Sequence, residues 1–259
     1  MFDNKLAFRT IGVIRSAISA YHHHIEGNPV GEHPLIKRMM TGVRNCRPPT
    51  PKYCVIWDVQ KVLDWINALD HNSKLPLRIL SWKTAILLAL TTASRGCELS
   101  YLDIDLMSSS DSMLRFFFKD WLKQDRSSKK KVKHIDILKF ENNEKLCPLT
   151  TTLTYIDRTQ SIRGPTRKLF ISHIAPHQAV VKSTIASWVK QTLAKTGVDV
   201  SKFKGHSTRA ACTSKAAVRG ASLSDIMDRG NWSDASTWQR FYNKTIDSPA
   251  DRFQKAVLG

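Results

Sequence analysis

Residues 205–244 read GHSTRAACTSKAAVRGASLSDIMDRGNWSDASTWQRFYNK, and their reading decides the fold. Three helices fit into this stretch. Ser207 to Arg219 is rich in small residues (Ala210, Ala211, Ala216, Ala217), which lets a neighbour pack closely, and Gly220 suits a C-cap. Ser222 and Asp225 have the spacing of a capping box for a second helix, which Gly230 ends. Ser233 or Asp234 opens a third, and Tyr242 is expected on it.

The same stretch carries chemistry. His206 and Arg209 stand at i and i+3, so both can face one ligand oxygen. An imidazole beside a guanidinium, with a phenol downstream, suits attack on a phosphodiester. The guanidinium grips the anion in fork geometry, the imidazole moves a proton, and the phenol becomes a covalent phosphoryl carrier. H-x-x-R alone is short, and a solvated His and Arg on a surface helix is the rival reading.

Upstream, Ser183 to Lys195 is an amphipathic helix stopped by Gly197. Leu169 to Ser172 reads as a short strand, and Leu146 to Thr159 as a helix with Pro148 near its start. Met113 to Trp121 and Val132 to Leu138 read as paired strands. The turn between them, Lys123 to Lys131, is basic. Its cluster Lys129, Lys130 and Lys131 suits contact with a phosphate backbone; a solvated turn that keeps a sheet edge soluble is the alternative. Ser94 to Leu102 is a helix with Ser94 as its expected cap and Arg95 and Glu98 at i and i+3. Ser81 to Thr92 is apolar all round and therefore buried. Asp58 is the expected N-cap of a helix whose stripe is Val59, Val62, Leu63, Trp65, Ile66 and Leu69. Asn45 to Lys52, with Pro48, Pro49 and Pro51, is the linker candidate. Residues 6–24 and 35–43 read as two further helices, the second with Lys37, Arg38 and Arg44 on a basic face.

Composition narrows the class. The chain has 259 residues, a net charge of +18 and 42% hydrophobic residues. It can bury a core, and a surface this basic usually meets a polyanion, most commonly nucleic acid. Five scattered cysteines, an odd number without a C-x-x-C pair, argue for a reducing, intracellular compartment (the nucleus if eukaryotic). No apolar run has the length of a membrane span, and residues 1–10 lack an apolar signal core. His22 to His24 are adjacent and cannot all face one ion on a helix, so no metal is expected there.

The ordered set Arg95, Lys123, His206, Arg209, Trp232, Tyr242, with a β-hairpin carrying the lysine, resembles the tyrosine recombinase (phage-integrase-like) family. SRGCELSYLDID stands where the family has its first Arg and an acidic residue three positions on. GHSTRAA stands for H-x-x-R, GNWSDAST for the His-or-Trp position, and QRFYNK for the nucleophile. The wording of VIWDVQKVLDWI, LLALTTASRGCELSYLDI and GHSTRAACTSKAAVRG is similar to recombinases of DIRS-like retrotransposons. The resemblance implies a mainly α fold with a small β-hairpin or sheet. Residues 1–47 would be part of an all-helical core-binding (SAM-like) domain, 48–52 the linker and 53–259 the catalytic domain.

It also implies an enzyme that cleaves and rejoins double-stranded DNA through a 3′-phosphotyrosine, as a homotetramer, with no cofactor and no metal. Arg95 and Arg209 would hold the phosphate, His206 would act as base and Trp232 would donate a hydrogen bond. Lys123, preferred to Lys119, would protonate the leaving 5′-oxygen, and Glu98 would orient a catalytic side chain. One departure stands out. The family places Tyr nine positions after the His/Trp residue, where this chain has Phe241, with Tyr242 one later. A catalytically inactive DNA-binding module and a type IB topoisomerase remain as alternatives.

Overall fold

The computed structural model describes residues 5–48, 53–119, 134–246, 254, 257 and 258. The chain divides into two units, Met1–Lys52 and Tyr53–Gly259. In the first, α1 (Phe8–Tyr21) packs on α2 (Pro34–Cys46). Ile11, Met40 and Val43 form its buried cluster, flanked by Leu6, Phe8 and Ile36. Pro34 occupies the first helical position of α2, where its missing N–H costs nothing, and the His33 ring accepts the N–H of Leu35. The turn before α2 lies close against α1: the Gly31 N–H donates to the Ser19 hydroxyl at 2.9 Å, and a Cβ on Gly31 would lie 3.1 Å from that oxygen.

The second unit is built around one buried helix. Its helices are α3 (Gln60–Ala68), α4 (Leu77–Thr91), α5 (Gly96–Tyr101), α6 (Pro148–Thr159), α7 (Lys182–Lys195), α8 (Ser207–Val218), α9 (Leu223–Gly230) and α10 (Ala235–Phe241). Every residue of α4 from Leu80 to Leu90 is buried, and the helix touches α5, α6, α7 and α8. At roughly 2 kcal/mol per buried large aliphatic side chain, α4 supplies a major share of the apolar burial. Two of its hydroxyls are satisfied within the helix. The hydroxyls of Thr84 and Thr91 donate to carbonyls four residues back, at 2.7 and 2.9 Å. Lys83, fully buried, donates from Nζ to Asn72 Oδ1 at 2.7 Å.

The sheet has three antiparallel strands in the order β1 (Met107–Ser109), β2 (Met113–Phe117), β3 (His134–Leu138). Leu114, Phe116 and Ile137 are buried. Arg115 faces Asp136 across the ladder in a fork of 2.7 and 2.8 Å bonds. That fork pulls the Asp136 carboxyl below its usual range.

Several expectations are corrected. The expected two-stranded hairpin has a third strand, β1. β2 ends at Phe117, short of Trp121. Residues 169–172 are not a strand; isolated bridges at Lys168 and Ile171 fix them instead. They are apolar because Leu169, Phe170 and Ile171 are buried. Helix α4 starts at Leu77, not Ser81, with Pro76 in the N-cap position. Val59 holds the cap position of α3, although the Asp58 carboxylate does accept the Gln60 N–H at 2.8 Å. Lys123, Lys129, Lys130 and Lys131 lie outside the described residues.

Burial lowers the pKa of Lys83 to about 8, so the unfolded chain holds this proton more tightly than the folded one. Between that value and about 10.5, folding therefore gains stability as pH rises. Urea melts across this window should show wild type gaining up to ~3 kcal/mol relative to Lys83→Met. A pH-independent difference between the two proteins would contradict the assignment.

Candidate active site

Helix α8 carries the first two site residues. His206 caps its N-terminus and Arg209 lies in its first turn. The start of α8 is fastened from below: buried Trp57 donates its indole N–H to the Ser207 hydroxyl at 2.8 Å. Arg209 is 1% exposed, an unusual place for a guanidinium. Its Nη1 donates to the Ala93 carbonyl at 2.9 Å and its Nη2 to the Gly230 carbonyl. The Trp232 ring lies over it at 4.1 Å and the Tyr242 ring at 5.6 Å. A desolvated stack of this kind contributes about 2 kcal/mol. Nε has no hydrogen-bond partner among the described residues.

Arg95 arrives from α5 as its cap residue; Ser94, the expected cap, sits one position earlier. The Glu98 carboxylate does two jobs here. One oxygen accepts the Arg95 backbone N–H at 2.8 Å, which holds the start of α5. The other accepts from Arg95 Nη1 at 2.6 Å, which aims the guanidinium. Burial, and then the nearby charge of Arg95, push the Arg209 pKa down to about 10. Arg209 still stays cationic at neutral pH, and the charges of Arg95 and Glu98 both act on it. Such a place attracts an anion.

Tyr242 closes the site. It follows α10 as its C-cap residue, just past the helix on which it was expected. Its ring lies 4.7 Å from Trp232 and edge-on to His206 at 6.2 Å. The residue nine positions after Trp232, Phe241, stacks against Arg240 instead. Tyr53 also lies near Tyr242, but it packs edge-on against Phe203 at 5.3 Å, and burial holds its phenol above the ordinary range. Thus Arg95, Glu98, His206, Arg209, Trp232 and Tyr242 come together. Lys119 is exposed just past β2. A cleft of about 660 Å³ runs from Glu98 and Arg209 between β3 and α9, past Asp136, Arg229 and Asn231.

Two roles escaped the sequence reading. Gly230 lets Trp232 fold back on the end of α9, where Asn231 takes the left-handed conformation. A Cβ on Gly230 would overlap the six-membered ring of Trp232 outright. Thr213 accepts the indole N–H of Trp238 at 3.1 Å and donates to the Arg209 carbonyl at 2.7 Å, which ties α10 to α8. The G-x-W spacing was a readable hint of the first; nothing local marks the second.

The phage integrase family profile matches residues 58–247, well over half of the chain. The chain belongs to the phage integrase family. Solved structures agree on the fold. XerA recombinase aligns with a TM-score of 0.56 at 16% identity, over 98% of this chain and 83% of that one. The Tn1549 transposon integrase, in complex with transposon right end DNA, gives 0.59 at 15% identity, over 99% and 82%. A lambda integrase dimer bound to a COC′ core site gives 0.52 at 13%, over 92% and 71%. No curated protein matches the chain in sequence. As in that family's catalytic domains, the second unit is mostly helical with one small antiparallel sheet. No described helix is long and apolar enough to cross a membrane, and the described residues hold no metal-binding cluster of His, Cys, Asp and Glu.

Gly230→Ala should cost about 2–3 kcal/mol in chemical denaturation, because the core around Trp232 is overpacked. Adding Trp232→Ala should remove most of that extra penalty. An equal penalty in both backgrounds would show that the indole is not the obstacle.

Proposed function

We propose that this protein is a site-specific DNA recombinase that cleaves and rejoins strands through a 3′-phosphotyrosyl intermediate. One observation carries the reading: two cationic guanidiniums, an imidazole and a phenol meet at one place in a chain of net charge +18. The Tn1549 and lambda relatives in complex with DNA support duplex DNA as the partner. The wording of SRGCELSYLDID and GHSTRAACTSKAAVRG favours a mobile element of the DIRS-like type as its source. Assembly as a homotetramer on DNA, and residues 1–47 as part of a core-binding domain, belong to the same proposal.

The chemistry follows from the side chains. A phosphodiester resists attack because its charge repels nucleophiles. Arg95 and Arg209 hold the non-bridging oxygens and offset the charge that builds on them in the transition state. Tyr242 Oη bonds to phosphorus and gives its proton to His206. The P–O5′ bond breaks, and a hairpin lysine, Lys123 in preference to Lys119, protonates the departing oxygen. The phosphotyrosine keeps the diester's energy, so attack by a 5′-hydroxyl reverses the step without a nucleotide cofactor. Trp232 acts first as a plate that keeps the Arg209 fork flat, a role its 4.1 Å stacking supports. Glu98 aims Arg95.

The test begins with duplexes selected for binding from a random library, then nicked to trap the adduct. Wild type should form a covalent adduct and Tyr242→Phe none, with equal affinity for the duplex. Arg209→Lys, which keeps the charge but loses the fork, should slow adduct formation about 10²–10³-fold with a far smaller loss of binding. Binding without any wild-type adduct would leave a non-catalytic DNA-binding module. Relaxation of supercoiled plasmid without site preference would indicate a type IB topoisomerase.

A further inference from the structure

The nucleophile has no secondary structure of its own to hold it. Helix α10 ends at Phe241, and Tyr242 lies just beyond it with φ −119° and ψ −31°. Its N–H still donates to the Trp238 carbonyl at 2.8 Å, but so does that of Asn243, at 2.9 Å, and the chain then turns away. At the end of a short helix, such a residue frays readily. Something outside α10 must fix the chain beyond Tyr242.

That support comes from one buried hydroxyl. Ser214, on α8 and 3% exposed, donates to the Tyr242 carbonyl at 2.9 Å. The same oxygen accepts the Lys244 N–H at 2.8 Å. One side chain thus pins the backbone on both sides of the residue after the nucleophile. The neighbouring Thr213 holds Trp238 one turn earlier. The Thr245 carbonyl then accepts the Ile56 N–H at 2.8 Å, so the next peptide is held as well. Ser214 is on the helix that carries His206 and Arg209, which ties phenol, base and clamp to one rod.

We propose that Ser214 is a positioning residue for Tyr242. It touches neither the phosphate nor the leaving group. It acts by keeping the phenol in line with phosphorus while Oη forms its bond, the P–O5′ bond breaks and the phenolic proton passes to His206. The proposal rests on the recombinase reading above and adds to it a residue that the family pattern of Arg, His, Trp and Tyr does not include.

Removing the hydroxyl takes the Ser214 partner from the half-buried Tyr242 carbonyl and Lys244 N–H and lets the tyrosine drift. A misplacement of about 1 Å costs on the order of 10²-fold in rate. Full-length Ser214→Ala should form the covalent adduct 10–100-fold more slowly, in single turnover on the selected nicked duplex, with DNA affinity within twofold of wild type. Amide exchange at Lys244 should quicken in the same variant. Ser214→Thr, which restores the hydroxyl, should recover both, and Ser214→Cys, with its weaker hydrogen-bonding group, should fall between. Adduct formation by Ser214→Ala at the wild-type rate would overturn the proposal. So would a loss of DNA affinity in step with the rate, which marks general damage. The wild-type lane separates the two ideas. If it shows no adduct on a duplex it binds, the recombinase reading fails and the proposal falls with it; if it shows one, only the variants decide.

Discussion

A guanidinium buried inside a protein is expensive unless it is hydrogen-bonded and packed, and the second unit is arranged around one. Arg209 donates to the carbonyls of Ala93, just past α4, and Gly230, at the end of α9, and lies flat against Trp232. Each contact belongs to a different segment. A single side chain therefore sets the spacing between the helix it stands on, the buried central helix and the loop before α10. Removing it would leave two carbonyls and an indole face without partners, in addition to losing a charge.

The core explains why this arrangement holds. With α4 buried along nearly its whole length, the elements around it have little freedom to shift without opening voids. α5, α7 and α8 each rest on it. α7 packs on α5, and at Gly96 an added Cβ would be in ordinary contact, 3.6 Å from the Lys182 carbonyl. Arg95 is thus held by packing behind it and aimed by Glu98 in front. The two arginines come from parts of the chain more than a hundred residues apart, and the layers between them fix their separation.

What could be read in advance follows from how far each signal reaches along the chain. His206 and Arg209 lie on one helix, so their spacing carries the geometry. Arg95 and Glu98 do too, although the cap falls on Arg95 because the Glu98 carboxylate reaches its N–H. Counting positions from Trp232 pointed at Phe241. Tyr242 escapes that count because it stands past the end of α10, where helical periodicity no longer dictates direction. Ser214 and Thr213 left no trace, since a hydroxyl that serves backbone groups or an indole some thirty residues away makes no local pattern. β1 is three residues long and paired only on one side, too short for alternation to show. Residues 169–172 misled because burial on all sides and strand pairing call for the same apolar residues.

Helix α8 bears His206, Arg209, Thr213 and Ser214 within one stretch of regular backbone. A rigid rod translates and tilts as a whole. When α8 moves under thermal agitation, the imidazole, the guanidinium and the Ser214 dock for Tyr242 move together, and the distances among them barely change. Engineers call this common-mode rejection: disturbance shared by all parts cancels in the difference that matters. Arg95 and Trp232 stand off the rod, on α5 and in the loop after α9. Their alignment with it is the differential signal, the part of the site through which a distant change in packing would be felt.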